Sequence, residues 1–94
     1  MMIKHAITPK TWNNTKILSI AALGKIGVVT EQIVDCLLWA VRYEESAGVR
    51  AEACHTLQVL QVKTEEVADV LQDRFLVESN KLVREWVEQL YFDY

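Results

Sequence analysis

Thr30–Glu44, TEQIVDCLLWAVRYE, and Thr64–Glu78, TEEVADVLQDRFLVE, are the two stretches on which the fold turns. At an offset of 34 residues Thr30-Glu31 matches Thr64-Glu65, Ile33 matches Val67, Asp35 matches Asp69, Leu37 matches Leu71 and Glu44 matches Glu78. The same offset carries Val49-Arg50 onto Val83-Arg84 and Leu23 onto Leu57, and it sets Thr15-Lys16 one interval before Val49-Arg50. A helical period alone produces apolar coincidences by chance. It does not reproduce a cap, an acid, a core leucine and a Val-Arg dipeptide in one register. The repeat therefore predicts two helix–turn–helix units and the first helix of a third.

Helix signals agree with that division. Ile17, Ile20, Ala21, Leu23 and Ile26 form a stripe at helical spacing, with Asn14 as N-cap and Gly27 as stop. Thr30 caps a second helix carrying Ile33, Cys36, Leu37, Ala40 and Val41 inward, and Glu31 sits in its first turn, where the helix dipole favours an anion. After the polar break Glu45–Gly48, a third helix is expected over Val49–Val62 with Val49, Ala53, Cys54, Leu57 and Leu60 inward. Glu65-Glu66 opens a fourth with Val67, Val70, Leu71 and Phe75 apolar. Ser79 or Asn80 caps a fifth carrying Leu82, Val83, Trp86, Val87 and Leu90. Strand-like alternation is nearly absent, so the chain reads as all-α with antiparallel neighbours.

Size and charge narrow the function. The 94 residues form less than one average domain, read as a segment or partial cap over 1–14 and a single helical domain over 15–94. Ten basic against 13 acidic side chains leave a net charge of −3, which argues against nucleic acid. The imbalance is local, since residues 65–94 carry three basic and eight acidic side chains. Cys36 and Cys54 form no CxxC pair, and each falls in an apolar helical pattern where a free thiol acts as a small buried hydrophobe. A reducing, intracellular compartment, the cytoplasm, is the expectation. The longest apolar run, Cys36–Val41, is far short of the ~20 residues of a membrane span, so no membrane is expected as partner.

Ala21-Ala22-Leu23-Gly24-Lys25-Ile26-Gly27 and Val49-Arg50-Ala51-Glu52-Ala53 resemble the first-helix signature of HEAT repeats, in particular the short variety named after phycobiliprotein lyases. An acid six positions before the arginine is typical of that family and occurs twice, as Glu44 before Arg50 and Glu78 before Arg84. The resemblance spans roughly Thr15 to Leu90. Gln58 and Gln61 depart from it where Gly24 and Gly27 stood, and Lys10 falls where the first acid should be. The resemblance implies a short right-handed α-solenoid of about two and a half helical hairpins. A closed antiparallel helix bundle is the alternative. Tetratricopeptide repeats share the period, but their Trp, Gly, Tyr and Pro positions are not recognisable here.

The acid–arginine spacing also has a physical reading. Glu44 and Glu78 fall at helix C-termini, Arg50 and Arg84 in the first turn of the next helix, each at the unfavourable end of its dipole. Such placement makes sense if the groups pair across the turn or with the neighbouring unit, forming a structural ladder through Glu44, Arg50, Glu78 and Arg84. The competing reading is two exposed charges worth ~0–1 kcal/mol.

Catalytic chemistry is poorly represented. His5 and His55 are the only histidines, and no HExxH, Cys/His cluster or Gly-rich phosphate loop occurs, so no catalysis, cofactor or metal is expected. Cys54 and His55 are adjacent on a helix and point about a quarter-turn apart, which reads as a buried thiol beside a surface imidazole. What remains is surface. Glu31, Asp35, Trp39 and Arg42 share a stripe on the second helix, and Glu65 or Glu66, Asp69, Gln72 and Asp73 share its equivalent on the fourth. An exposed Trp39 framed by carboxylates would anchor a basic or apolar peptide, a basic segment first. The alternative has Trp39 packed under the N-terminal segment against Trp12 or Ile7. The aromatic end, Leu90 to Tyr94, reads either as a cap folded on the last pair or as an open end that stacks on further repeats or a second copy. The expected role is a protein–protein interaction scaffold whose partner-binding residues are Glu31, Asp35, Trp39, Arg42, Glu66, Asp69 and Asp73. The alternative is a non-catalytic or lyase-like subunit of a larger complex.

Overall fold

The computed structural model describes residues 9–92, with side chains from Asn14 onward. Five helices follow one another: α1 (Pro9–Ile26), α2 (Glu31–Tyr43), α3 (Ala47–Val59), α4 (Glu65–Val77) and α5 (Lys81–Phe92). Local chemistry sets their starts. The hydroxyls of Thr30, Ser46 and Thr64 accept hydrogen bonds from the N–H groups of Ile33, Val49 and Val67, and Asn80 Oδ1 accepts from Val83. α1 instead begins at Pro9, whose ring presets a helical φ and whose missing N–H costs nothing in the first turn. Asn14 therefore lies inside α1 and is not its N-cap.

Two helices stop in the same way with different residues. Gly27 enters the left-handed region at φ +76° and its N–H closes on Leu23 O at 3.2 Å. Gln61, one repeat later, takes φ +55°, with its N–H on Gln58 O and the Val62 N–H on Leu57 O. A glutamine holds a conformation that suits glycine, at a cost of roughly 1–2 kcal/mol. α3 consequently ends at Val59, three residues earlier than its apolar pattern implies.

α3 is the hub. It packs against α1, α2 and α5, while α4 packs on α5 and α2. The tight antiparallel pairs are α2/α3 and α4/α5, joined by the short turns at Glu44–Ser46 and Glu78–Asn80. No comparably extensive contact joins α1 to α2 or α3 to α4. The five helices amount to two and a half hairpins. α1, α3 and α5 form one layer and α2 and α4 the other. The slab measures 48 × 30 × 16 Å, which fits an open helical repeat solenoid and not a closed bundle.

The core runs through both layers as Leu37, Val41, Val49, Ala53, Cys54, Leu57, Val67, Leu71, Val83 and Val87, all at most 2% exposed. Cys36 is not part of it. The buried residues of α2 are Val34, Leu37, Leu38, Ala40 and Val41, and Cys36, just beyond the edge of that arc, is exposed. Ile26, at the free end of α1, is also exposed. On α5, Leu90 and Tyr91 pack onto the core while Leu82 and Phe92 stay exposed. Glu85 and Glu88 are exposed where the equivalent α3 residues, Ala51 and Cys54, are buried, so this face of the stack meets solvent with charge.

One buried charge cluster joins the units. Glu78, whose side chain is 0% exposed, accepts from Arg50 Nε (2.9 Å) and Nη2 (2.9 Å), from Arg74 Nε (2.8 Å) and from the Asn80 N–H (3.0 Å). Arg50 Nη1 donates to Glu44 O and Glu45 O, carbonyls that the end of α2 leaves without helical partners. The Glu44 and Arg50 side chains do not meet across the turn. Lys16 Nζ takes Glu44 Oε1 at 2.7 Å, so each cation reaches the acid of the following turn. Arg84 makes no ion pair among the described residues and lies over the Phe75 ring at 5.6 Å.

Burial alone would push the Glu78 carboxyl up. Hydrogen bonds from Arg50, Arg74 and Asn80, with the charge of Arg50, outweigh it and hold the carboxyl below its ordinary value. The resulting stabilisation is complete above the unfolded pKa of roughly 4.3 and is lost as pH falls through the lower folded value. Glu78→Gln should cost about 3–5 kcal/mol at neutral pH, because Arg50 stays buried without its counter-charge. Urea unfolding at pH 7 and pH 3 checks both points: the variant should lose less stability between these pH values than the natural chain. Gln61→Gly should gain about 1 kcal/mol in the same assay.

Candidate partner-binding groove

The outer face of the α2–α4 layer carries a groove. Its floor is Leu38 and Val70, each 5% exposed, brought together because both helices bury the adjacent arc in the core. Asp35, Trp39, Arg42 and Tyr43 rise along α2, and Glu66 faces them from α4. The groove continues past Arg42 and Tyr43 to Asp73, Arg74, Leu76 and Val77. Arg74 Nη1 donates to Arg42 O at 2.9 Å and so ties the end of α2 to α4 at the join. This second arm of Arg74 leaves its Nε on Glu78, linking the groove to the buried cluster.

Aromatic side chains dominate one wall. Trp39 is 56% exposed and Tyr43 58%, with ring centroids 5.7 Å apart and planes tilted by 52°. Arg42 holds its guanidinium 5.3 Å from the Tyr43 centroid. The expectation of Trp39 packed against Trp12 or Ile7 concerns side chains outside the described residues. Carboxylates stand on both walls, Asp35 on α2 beside the aromatics and Glu66 and Asp73 on α4 opposite them. Asp35, Glu66 and Asp73 line the groove, while Glu31 and Asp69 are exposed on the same helices without lining it. Tyr43, Leu76, Val77 and Arg74 escaped the sequence reading. Tyr43 follows Trp39 by four residues, the spacing at which helical side chains meet, and Arg74 precedes Glu78 by four.

Elsewhere the reactive side chains are quiet. Cys54 is fully buried, and burial first, then the charge of Glu78, push its thiol up to about 12 against the opposing pull of Arg50 and Arg74. His55 is exposed, 3.1 Å from Glu52 Oε2, and its ring lies 5.3 Å from that of Trp86. Among the described residues no group of three or more metal-ligating side chains gathers, and no helix is long and apolar enough to cross a membrane.

A stack of capped helical pairs, linked turn to turn by ion pairs and presenting one layer outward, is the architecture of a helical repeat protein. The family model described as HEAT repeats matches residues 6–91. The chain belongs to the HEAT-repeat family. HEAT repeats generally act as protein-interaction scaffolds, and the family is typically non-enzymatic. No solved structure matches the chain. In this HEAT-repeat chain the two thiols should separate cleanly. Under native conditions at pH 8, Cys36 should react with a maleimide while Cys54 reacts only after denaturation, as read by intact mass before and after guanidinium.

Proposed function

We propose that this chain is a protein–protein interaction scaffold that receives a basic peptide segment in the α2–α4 groove. The observation that carries this reading is the exposed Trp39–Tyr43 pair, with Asp35 one turn before it on α2 and Glu66 and Asp73 on α4 across an apolar floor. Exposed aromatics over a dry floor supply the contact area that dominates binding energy, and Trp and Tyr are enriched among such anchors. Carboxylates around them select cations and speed encounter without adding much affinity of their own. The cation of Arg42 is turned onto Tyr43. The neighbouring Glu31, Glu65 and Asp69, all exposed, extend the negative field along both helices. The cytoplasm, inferred from the free cysteines, is the compartment in which this reading places the interaction.

Selection of binders from a random peptide library tests the reading. Enriched peptides should carry Lys or Arg beside an apolar residue. Trp39→Ala should weaken them by about 30-fold, the scale of an interface anchor. Because Trp39 is more than half exposed, the same change should move stability by less than about 1 kcal/mol. Asp73→Lys should shift selection away from basic sequences. Enrichment of acidic peptides, or full binding by Trp39→Ala, would refute the proposal.

A further inference from the structure

The two turn acids are not equally served. Glu78 is clamped by Arg50 and, one helical turn before it on α4, by Arg74. Counting back 34 residues puts Lys16 in the place of Arg50, Glu44 in the place of Glu78 and Ala40 in the place of Arg74. The first cluster therefore lacks its second cation. Lys16 holds Glu44 Oε1 at 2.7 Å, and among the described residues no other donor reaches that carboxylate. Yet the Glu44 side chain is only 10% exposed. Where a second arginine would lie there is a cleft of about 310 Å³, lined among others by Lys16, Ile20, Trp39, Ala40, Glu44 and Val49. Trp39 stands at the position that Asp73 holds beside Arg74.

We infer that this cleft is a socket for one arginine side chain of a partner, which completes Glu44 from outside as Arg74 completes Glu78 from within. The inference rests on the reading of the outer α2 surface as partner-binding and adds the one cation of the basic segment that becomes buried. Each part of the side chain has a counterpart. The free lone pairs of Glu44 accept from the guanidinium in a charge-assisted bond. Ile20, Ala40 and Val49 cover the aliphatic stem, and the exposed Trp39 ring offers a face to the planar cation. The nearby positive charge of Lys16 is no obstacle, since two arginines already share Glu78. A planar fork suits the site better than an ammonium because it presents donors to both oxygens of a carboxylate, as Arg50 does at Glu78.

The test is an NMR titration of the ¹⁵N-labelled chain with the peptide Ac-Gly-Arg-Gly-NH2 and its citrulline counterpart, equal in shape but uncharged. The arginine peptide should shift the Ile20, Ala40 and Glu44 amides and the Trp39 indole; the citrulline peptide at the same concentration should not. Ala40→Arg supplies the missing cation internally. It should raise the melting temperature by about 4 °C or more and weaken arginine-peptide binding by about 10-fold or more. Glu44→Gln, which keeps the shape of the site, should abolish the discrimination between the two peptides, and it decides the matter should Ala40→Arg fail to fold. Equal shifts with both peptides, or unchanged binding by a folded Ala40→Arg chain, would overturn the socket. Asp73→Lys separates the two readings. Loss of binding there but not in Ala40→Arg removes the socket and leaves the groove; the reverse leaves the socket alone.

Discussion

The buried Glu78 carboxylate is the constraint on which the arrangement of helices depends. Hydrophobic burial supplies most of the driving force, but it has no direction, and repeats with similar apolar faces can slide over one another at small cost. A carboxylate that is 0% exposed tolerates no such slip. Its donors come from α3, from α4 and from the turn into α5, and the arginine on α3 also holds the carbonyls that end α2. Four helices are thereby referred to one point. Any shift in stacking register would leave a charge desolvated and unpaired, which is far more costly than a lost apolar contact.

That constraint shapes the outer surface as well. Arg74 serves Glu78 with one nitrogen and the α2 carbonyl of Arg42 with another, so the spacing of α2 and α4 follows from the buried cluster. A groove whose walls are set in advance loses little freedom when a partner enters it. The exposed aromatics on α2 and the acids on both helices then sit on rigid elements, so in the proposed interaction the adaptable part belongs to the partner.

The two repeats have diverged in complementary ways. In the second, the turn acid is sealed by two arginines; in the first, it meets one lysine whose side chain is 23% exposed. Trp39-Ala40 replaces Asp73-Arg74, an exchange of a closed polar lock for an aromatic edge beside an open cleft. The same contrast appears at the helix ends, where Gly27 and Gln61 adopt one backbone conformation with different strain. Repetition fixes the scaffold, and departures from repetition mark where the molecule is specialised.

Much of this was legible in the residues. Thr30, Thr64 and Asn80 act locally, through their own neighbours in the chain, so the starts of α2, α4 and α5, the helix number and the repeat offset were open to reading before any coordinates. By contrast, α1 begins at Pro9 ahead of Asn14, and α3 at Ala47 on the Ser46 cap, inside what read as a break. The Lys16, Arg50, Glu44 and Glu78 positions were equally visible, because the offset repeats them. What the residues left undecided was set by approach in space. Whether Arg50 meets Glu44 or Glu78, whether α3 pairs with α2 or α4, and whether Cys36 or Cys54 faces the core all depend on how one helix lies against another. Helical periodicity marks an apolar arc but not which part of it a neighbour covers, and only tertiary packing chose that.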